Sequence, residues 1–378
     1  MKGKYYYIWL LLLSISCKEV YRPDVISAAT SYLVVEGVLN VNGPTDVHLT
    51  RTSQLDSVKI RPELNAQVTV EGKDNSVKTL TAAGSGHYSS AGLNLVLGNE
   101  YRLHIRLTSG KEYMSEYVVA RATPSIDTIG HTRTDDVMKF FISTHDPSGN
   151  TRYYRWDYEE TWEIKSFYYS RFIYVVSADS VRARTAAEDV SRGWKSFSST
   201  SILLGSSARL QNDIISEAPL ISILRGDDKL SVRYSVLVRQ YAMDKAGYDF
   251  YDLMKRNTES LGTIFDAQPS EIKGNIKSVS DPAEPVIGYV SASTISEKRI
   301  FVDNAELPFS WRYIEDCPYY TVAKNKDSIH MYFRTDTYAP FDAAYSPITG
   351  EIVGYLSSFA PCVDCTRRGA TTVKPSFW

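Results

Sequence analysis

The chain has 378 residues, of which 43% are apolar and 23% are charged, values that exclude wholesale disorder and indicate two or three domains at roughly 100–200 residues each. Its 42 lysines and arginines nearly balance its 44 aspartates and glutamates, so the composition carries no electrostatic footprint for nucleic acid and no nucleic-acid partner is predicted. Tyrosine is the unusual residue, with 27 copies against 13 phenylalanines, and it is typical of strands and half-wet surfaces rather than of coiled coils or membrane-spanning helices.

Residues 1–16 have the layout of a secretory signal peptide. Lys2 and Lys4 precede an apolar run at residues 5–13, and Ser14 and Ser16 stand just before Cys17. The apolar run is far short of the ~20 residues that a membrane-spanning helix needs. We therefore predict that residues 1–16 are removed as a signal peptide.

Cys17 resembles the cysteine of a bacterial lipobox, whose thiol receives a diacylglycerol. A lipobox usually has leucine three residues before the cysteine, whereas this chain has Ser14 there and its leucine at Leu13. Several acyl chains on Cys17 would anchor the mature protein stably to a membrane, with residues 17–31 as a lipidated tether. The alternative is an ordinary signal peptide with Cys17 as an incidental thiol.

Residues 32–122 alternate between apolar and polar side chains over about seven short runs separated by turn signals. The clearest run is residues 101–107, in which Arg102, His104 and Arg106 fall on the face opposite the apolar residues. Such a pattern predicts an N-terminal β-sandwich of immunoglobulin-like or transthyretin-like type.

Residues 123–378 are predicted to form a larger β-rich domain with one helix near 244–260. The helix is indicated by apolar residues at helical spacing, among them Phe250 and Leu253, and by Gly262 as its stop. The polar, serine-rich residues 177–209 are predicted to form a long loop. The fold class is therefore mainly β.

Three cysteines follow Cys17, and an exported protein favours their oxidation. Because Cys317, Cys362 and Cys365 are odd in number, at most one intramolecular disulfide is expected among them. It forms either within the C-x-x-C turn or between Cys317 and one member of that pair. A redox or zinc role is the alternative, but zinc would need more cysteines or histidines at suitable spacing, so no metal site and no cofactor are predicted.

Adjacent tyrosines are the candidate binding surface. In each pair one ring would point inward and the other outward, and outward tyrosines offer large contact area at low entropic cost. The alternative is an ordinary solvated sheet. The pairs are Tyr153 and Tyr154, Tyr168 and Tyr169, and Tyr319 and Tyr320. Phe377 and Trp378 are expected either to fill the protein's own core or to dock on a partner.

No catalytic residue is predicted, and the chain is interpreted as non-enzymatic. The six histidines form no metal-binding spacing, and no nucleophile elbow or phosphate-binding loop occurs. Glu159 and Glu160 are adjacent and would point to opposite faces of a strand, which makes them a poor acid/base pair.

Several segments in succession resemble a family of Bacteroidetes outer-membrane lipoproteins known only as domain-of-unknown-function family 4249. Beside the lipobox, the resemblance rests on LVVEG at residues 33–37, YRL at 101–103, YMS at 113–115, GNI at 274–276, DPAEPVIGY at 281–289, KRIF at 298–301, CVDCT at 362–366 and KPSFW at 374–378. It implies a lipoprotein whose gene often lies beside that of a TonB-dependent receptor, and it implies no catalytic residues.

The expected function is that of a non-enzymatic accessory or ligand-binding partner of a TonB-dependent transporter in nutrient uptake. Such a protein is held at the outer membrane by its N-terminal lipid and faces either the periplasm or the exterior. The alternatives are an envelope hydrolase acting on glycans or peptides, and a surface adhesion or structural module.

Overall fold

The computed structural model describes residues 31–53, 60–259 and 272–378. The predicted signal peptide, Cys17 and the predicted tether up to residue 30 lie outside the described residues, as does Gly262. In the described part of the chain, no helix is long and apolar enough to cross a membrane.

The described residues are mainly β. The strands are β1 Leu33–Asn40, β2 Thr45–Arg51, β3 Arg61–Pro62, β4 Gln67–Gly72, β5 Val77–Gly84, β6 His87–Ser90, β7 Glu100–Arg106, β8 Glu112–Ser115, β9 Val118–Val119, β10 Ile126–Arg133, β11 Val137–His145, β12 Tyr153–Lys165, β13 Phe172–Val175, β14 Ser180–Ala183, β15 Arg192–Ser198, β16 Leu203–Ser206, β17 Ile214–Leu224, β18 Arg233–Met243, β19 Ile276–Ser278, β20 Val286–Gly288, β21 Ser291–Ser293, β22 Ile295–Asp303, β23 Tyr319–Ala323, β24 Tyr338–Tyr345 and β25 Ile352–Phe359. The helices are α1 Lys245–Glu259, α2 Lys326–Phe333 and α3 Ala360–Val363.

The N-terminal strands form a sandwich-like sheet in the order β19-β8-β7-β4-β5-β6-β2-β1-β20, with three short strands beside this path. β7 shows why its residues form a strand: Tyr101, Leu103 and Ile105 are buried, while the residues between them face outward. These side chains join Leu33, Val35, Leu49 and Val68 in one core. The strand predicted at residues 101–107 is thus present, with the predicted apolar face inward.

A segment from much later in the chain completes this sandwich. β19 pairs with β8, and β20 and β21 run parallel to β1. Glu284 holds the segment in place, since it accepts hydrogen bonds of 2.9 Å from the Tyr113 hydroxyl and from Lys111 Nζ. The predicted domain range 123–378 therefore includes residues that the structure places in the N-terminal sandwich, because the edge of β1 needs a pairing partner.

The middle of the chain forms a second sandwich. Sheet β10-β11-β17 faces sheet β15-β12-β18-β22, to which β16 adds beside β12. Met138 and Phe140 of the smaller sheet share a core with Trp156, Tyr234 and other residues of the larger sheet. The loop predicted at residues 177–209 is wrong in part, since β14, β15 and β16 lie there. Pairing with the long central strand β12 stabilises β15 and β16 despite their polar residues.

A third layer contains the sheet β23-β25-β24, helix α2 and the hairpin β13-β14. Val322, Ile329, Phe333 and Tyr355 form its core, against which the hairpin packs. Helix α1 lies where the sequence predicts a helix, whereas α2 and α3 are two short helices that the sequence pattern did not indicate.

Candidate functional site

The outer face of the larger middle sheet carries a charged network. Asp157 of β12 lies opposite Arg239 of β18, which lies opposite Glu297 of β22. The guanidinium of Arg239 contacts three carboxylates: Nη1 lies 3.5 Å from Asp157, Nη2 3.4 Å from Glu159 and Nε 2.9 Å from Glu297. These side chains face outward because the alternate residues of each strand fill the core.

A cleft of about 620 Å³ opens beside this network. Its floor is Arg155 and Asp157 of β12, and one wall is residues 198–202, from the last residue of β15 to the start of β16. Helix α1 forms another wall through its residue Tyr251. Glu36 of β1 lines the side of the cleft next to the N-terminal sandwich. The cleft is therefore bounded by both sandwiches and by α1, with arginine, carboxylate, tyrosine and hydroxyl groups in its lining.

Arg155 is the distinctive residue of the cleft. Its guanidinium carbon lies 4.5 Å from the ring centre of Tyr241 and 4.9 Å from that of Tyr251, a stacking that holds the guanidinium plane in place. Burial lowers the pKa of Arg155, but the Tyr251 and Tyr241 hydroxyls and the Asp157 and Glu36 carboxylates more than offset this and raise it. Among the described residues, no carboxylate lies within 4 Å of this guanidinium. Its N–H edge is thus the part left to bind an acidic group.

The six predicted tyrosines do not form one surface. Tyr154 is buried in the core of the middle sandwich, where its hydroxyl donates to Asp213 at 2.7 Å, and Tyr153 packs half-buried against Tyr248. Tyr168 stacks on Phe341 in the third layer. The length of β12 separates these two regions by roughly 40 Å.

The expected inward and outward alternation fails for the third tyrosine pair. Tyr319 and Tyr320 are 63% and 41% exposed. They lie on β23, an edge strand of the three-stranded sheet. Of the residues of β23, Val322 alone is buried in the core of that sheet. Tyr169 is also exposed, beside the half-buried Tyr168.

The three cysteines in the described part of the chain form one bridge. Cys317 is joined to Cys362, across 45 residues of chain, and Cys365 is a free thiol in the core of the middle sandwich. Burial raises the pKa of Cys365 to about 11, so the thiol is protonated and unreactive near neutral pH. In the described residues, the one group with metal-ligand spacing is Glu315 with Cys317 and Cys362, and its sulfurs are joined to each other.

Phe377 and Trp378 pack on the chain itself, but on the outer face of the middle sheet and not in a core. Trp378 Nε1 donates to Glu163 at 3.1 Å, and its ring meets Phe301 edge-on. The Phe377 ring covers the guanidinium of Arg299 at 3.5 Å. The interpretation of these residues as a core plug is therefore corrected to a surface contact.

Arg155 and Arg239 were not predicted as site residues. The one signal in the sequence was the alternation of this strand. It puts Arg155 and Asp157 on one face and Tyr154 and Trp156 on the other. That signal does not show which strand and which helix approach from outside, and the cleft depends on both.

Comparison with known proteins gives one family match. The model of a family described as Domain of unknown function (DUF4249) matches residues 18–299. No curated protein matches the chain.

Solved structures resemble the chain only weakly. A two-domain fibronectin type III segment of chicken tenascin is 10% identical, with 55% of this chain and 90% of that chain covered and a TM-score of 0.17. A cytokine receptor complex is 12% identical, with 72% and 97% covered and a TM-score of 0.20. Fibronectin domains 1–3 of chicken CNTN1 are 10% identical, with 56% and 63% covered and a TM-score of 0.19. Scores this low carry no functional argument.

Proposed function

The chain belongs to the DUF4249 family of domains of unknown function, and we propose that it is a lipid-anchored, non-enzymatic binding protein of a bacterial outer membrane. In this proposal it captures a ligand with an acidic group as the partner of a TonB-dependent transporter in nutrient uptake. It faces either the periplasm or the exterior. The observation that carries ligand binding is Arg155, a stacked arginine without a carboxylate partner in a cleft of about 620 Å³.

The carboxylates near the cleft favour binding over catalysis. A hydrolase with two carboxyl groups needs both of them directed at the substrate, with one kept protonated. Asp157, Glu159 and Glu297 instead share Arg239 as a common partner. An ion-pair network of this kind holds the floor of a binding cleft rigid.

The sequence around Cys17 supports the anchor, because a lipid on this cysteine would confine the protein to the membrane and raise its effective concentration near a transporter. We expect the Cys17→Ala variant to lose incorporation of an alkyne-labelled fatty acid and to leave the membrane fraction. Cys365→Ala is the matched control, since it removes a cysteine from the same chain and should keep the label. Equal labelling of the Cys17→Ala variant and the unaltered protein would rule out this anchor.

The role of the cleft is tested by complementation. A strain without the gene is expected to grow poorly on one nutrient and to recover with the unaltered protein, which should co-purify with a TonB-dependent transporter. Arg155→Ala should bind the nutrient at least about tenfold more weakly, because one charge-assisted contact contributes roughly 1.5–3 kcal/mol. This variant should therefore restore less growth than the unaltered protein. The control is Arg133→Ala, because Arg133 is an exposed residue at the end of β10. No co-purified transporter, together with no growth defect on any nutrient, would contradict the proposal, as would release of products from a nutrient oligomer by the purified protein.

A further inference from the structure

A second cavity, of about 280 Å³, lies in the third layer of the fold. The hairpin β13-β14, the end of α2 and the start of β24 enclose it. Its charged lining consists of Arg184, Arg334 and Arg367 with Asp336 and Asp364. Three arginines against two aspartates leave an excess of one positive charge in a small cavity.

Arg184 is fixed at the back of this cavity. Only 9% of its side chain is exposed. Its Nε donates to Ser170 Oγ at 2.9 Å, and its Nη1 donates to the Glu188 carbonyl at 3.1 Å. Nη2 is left with Asp364 at 4.0 Å, and burial lowers the pKa of the guanidinium. An anion in the cavity would therefore complete the pairing of a buried cation.

Arg367 and Arg334 provide the remaining positive charge. Arg367 pairs with Asp336 at 2.5 Å, and Asp336 itself has φ +60°, a left-handed conformation in the turn that leads into β24. Arg334 lies on the exposed side. Throughout the ranges that the structure describes, no carboxylate stands within 4 Å of the Arg334 guanidinium. Arg334 contacts the Tyr174 hydroxyl and, without a carboxylate partner, is placed to bind an anion in the cavity.

An aromatic cluster adjoins the cavity through Tyr338, which lines it. The Tyr338 ring centre lies 5.6 Å from that of Tyr320, 5.8 Å from Tyr332 and 5.2 Å from Phe359. Tyr320 and Phe359 are 41% and 36% exposed. Partly exposed tyrosines present a flat apolar face with a polar hydroxyl at its edge, and a sugar ring offers both a C–H face and hydroxyl groups to such a surface.

We propose that this cavity and the aromatic cluster bind an acidic saccharide, with its carboxylate held by the arginines and its sugar rings stacked on the tyrosines. A small inorganic anion would use the arginines but not the exposed rings. A neutral sugar would add no anion to the distant contact of 4.0 Å between Arg184 and Asp364. The site is separate from the cleft at Arg155, and its ligand does not depend on the function proposed for that cleft.

The test is calorimetry of the mature chain with three probes: trigalacturonic acid, neutral maltotriose and inorganic phosphate. We expect trigalacturonic acid to bind at least about tenfold more tightly than either of the other probes. Arg334→Ala should weaken this binding about tenfold, and Tyr320→Ala should weaken it severalfold while phosphate binding stays unchanged. Both residues are exposed, so the variants should keep the thermal midpoint of the parent.

Arg133→Ala is the control, and it should bind trigalacturonic acid as the unaltered chain does. The proposal is overturned if trigalacturonic acid does not bind at millimolar concentration, or if maltotriose binds as tightly. It is also overturned if phosphate binds as tightly and Tyr320→Ala leaves the binding of trigalacturonic acid unchanged.

Discussion

Replacing Gly274 with alanine is expected to detach the returning segment, residues 274–293, from the N-terminal sandwich and to cost about 3 kcal/mol or more. A Cβ at this position would overlap the carbonyl oxygen of Gly288. Gly288 is itself fixed, because its φ is +149° and a Cβ there would overlap the carbonyl oxygen of Val35. The obstacles are backbone atoms, which no side-chain rotation can move aside, so the strands must separate.

The measurement is hydrogen exchange in β1 and β8, because a chain with more than one core need not unfold in a single step. We expect the amides that pair with β19, β20 and β21 to lose protection in the Gly274→Ala variant. The control is Gly226→Ala, since Gly226 has φ +79° with no atom within 4 Å of its added Cβ. That variant should lose only about 1 kcal/mol, the cost of the left-handed conformation. Equal effects of the two substitutions would contradict the proposed close approach of the backbones.

Replacing Lys229 with methionine is expected to cost about 3 kcal/mol, because it leaves a buried carboxylate without its cation. Glu160 lies on the inner side of β12 with 1% of its side chain exposed, and both its oxygens accept from Lys229 Nζ at 2.8 Å. The Tyr234 hydroxyl donates to the same carboxylate at 2.8 Å. Burial and the charge of Glu160 raise the pKa of Tyr234, so this phenol stays protonated and remains a donor.

The change in the free energy of unfolding is measured by urea denaturation with tryptophan fluorescence as the probe. Trp162 reports on this region because its ring centre lies 5.3 Å from Lys229 Nζ. The double variant Lys229→Met with Glu160→Gln should recover most of the loss, because the neutral amide needs no counter-ion. Lys245→Met is the matched control. It removes an exposed pair with Asp249 and should change stability by no more than about 0.5 kcal/mol. A double variant as unstable as Lys229→Met would show that packing, not the unpaired charge, sets the cost.

Sequence reasoning predicted the features that local chemistry decides. The alternation in β7 and in the first half of β12 is visible because the core side chains lie two residues apart. The same rule puts Glu159 and Glu160 on opposite faces of β12, as the structure shows. It did not indicate the cation that balances the buried Glu160, because Lys229 comes from a different element. Strands β15 and β16 were missed because their stability comes from pairing with β12 and not from their own residues.

The candidate sites were predictable only in part. Arg155 and Asp157 fall on an outward face by the period of β12, yet the cleft exists because α1 and residues 198–202 approach that face. The arginines of the second cavity come from distant parts of the chain, since Arg184 lies 150 residues before Arg334 and Arg367 lies a further 33 residues on. No local pattern connects them, since side-chain spacing reports only which face of its own strand or helix a residue occupies.

The sequence by itself determined the β character of this protein, the likeness of residues 14–17 to a lipobox and the limit of one disulfide among three cysteines. The tertiary structure alone decided that Cys317 pairs with Cys362, that residues 276–293 return to the first sandwich, and that Tyr319 and Tyr320 are both exposed. The physical reason is that strand propensity acts over a few neighbouring residues. Bridges, edge pairing and burial are set by contacts between segments that lie far apart in the chain.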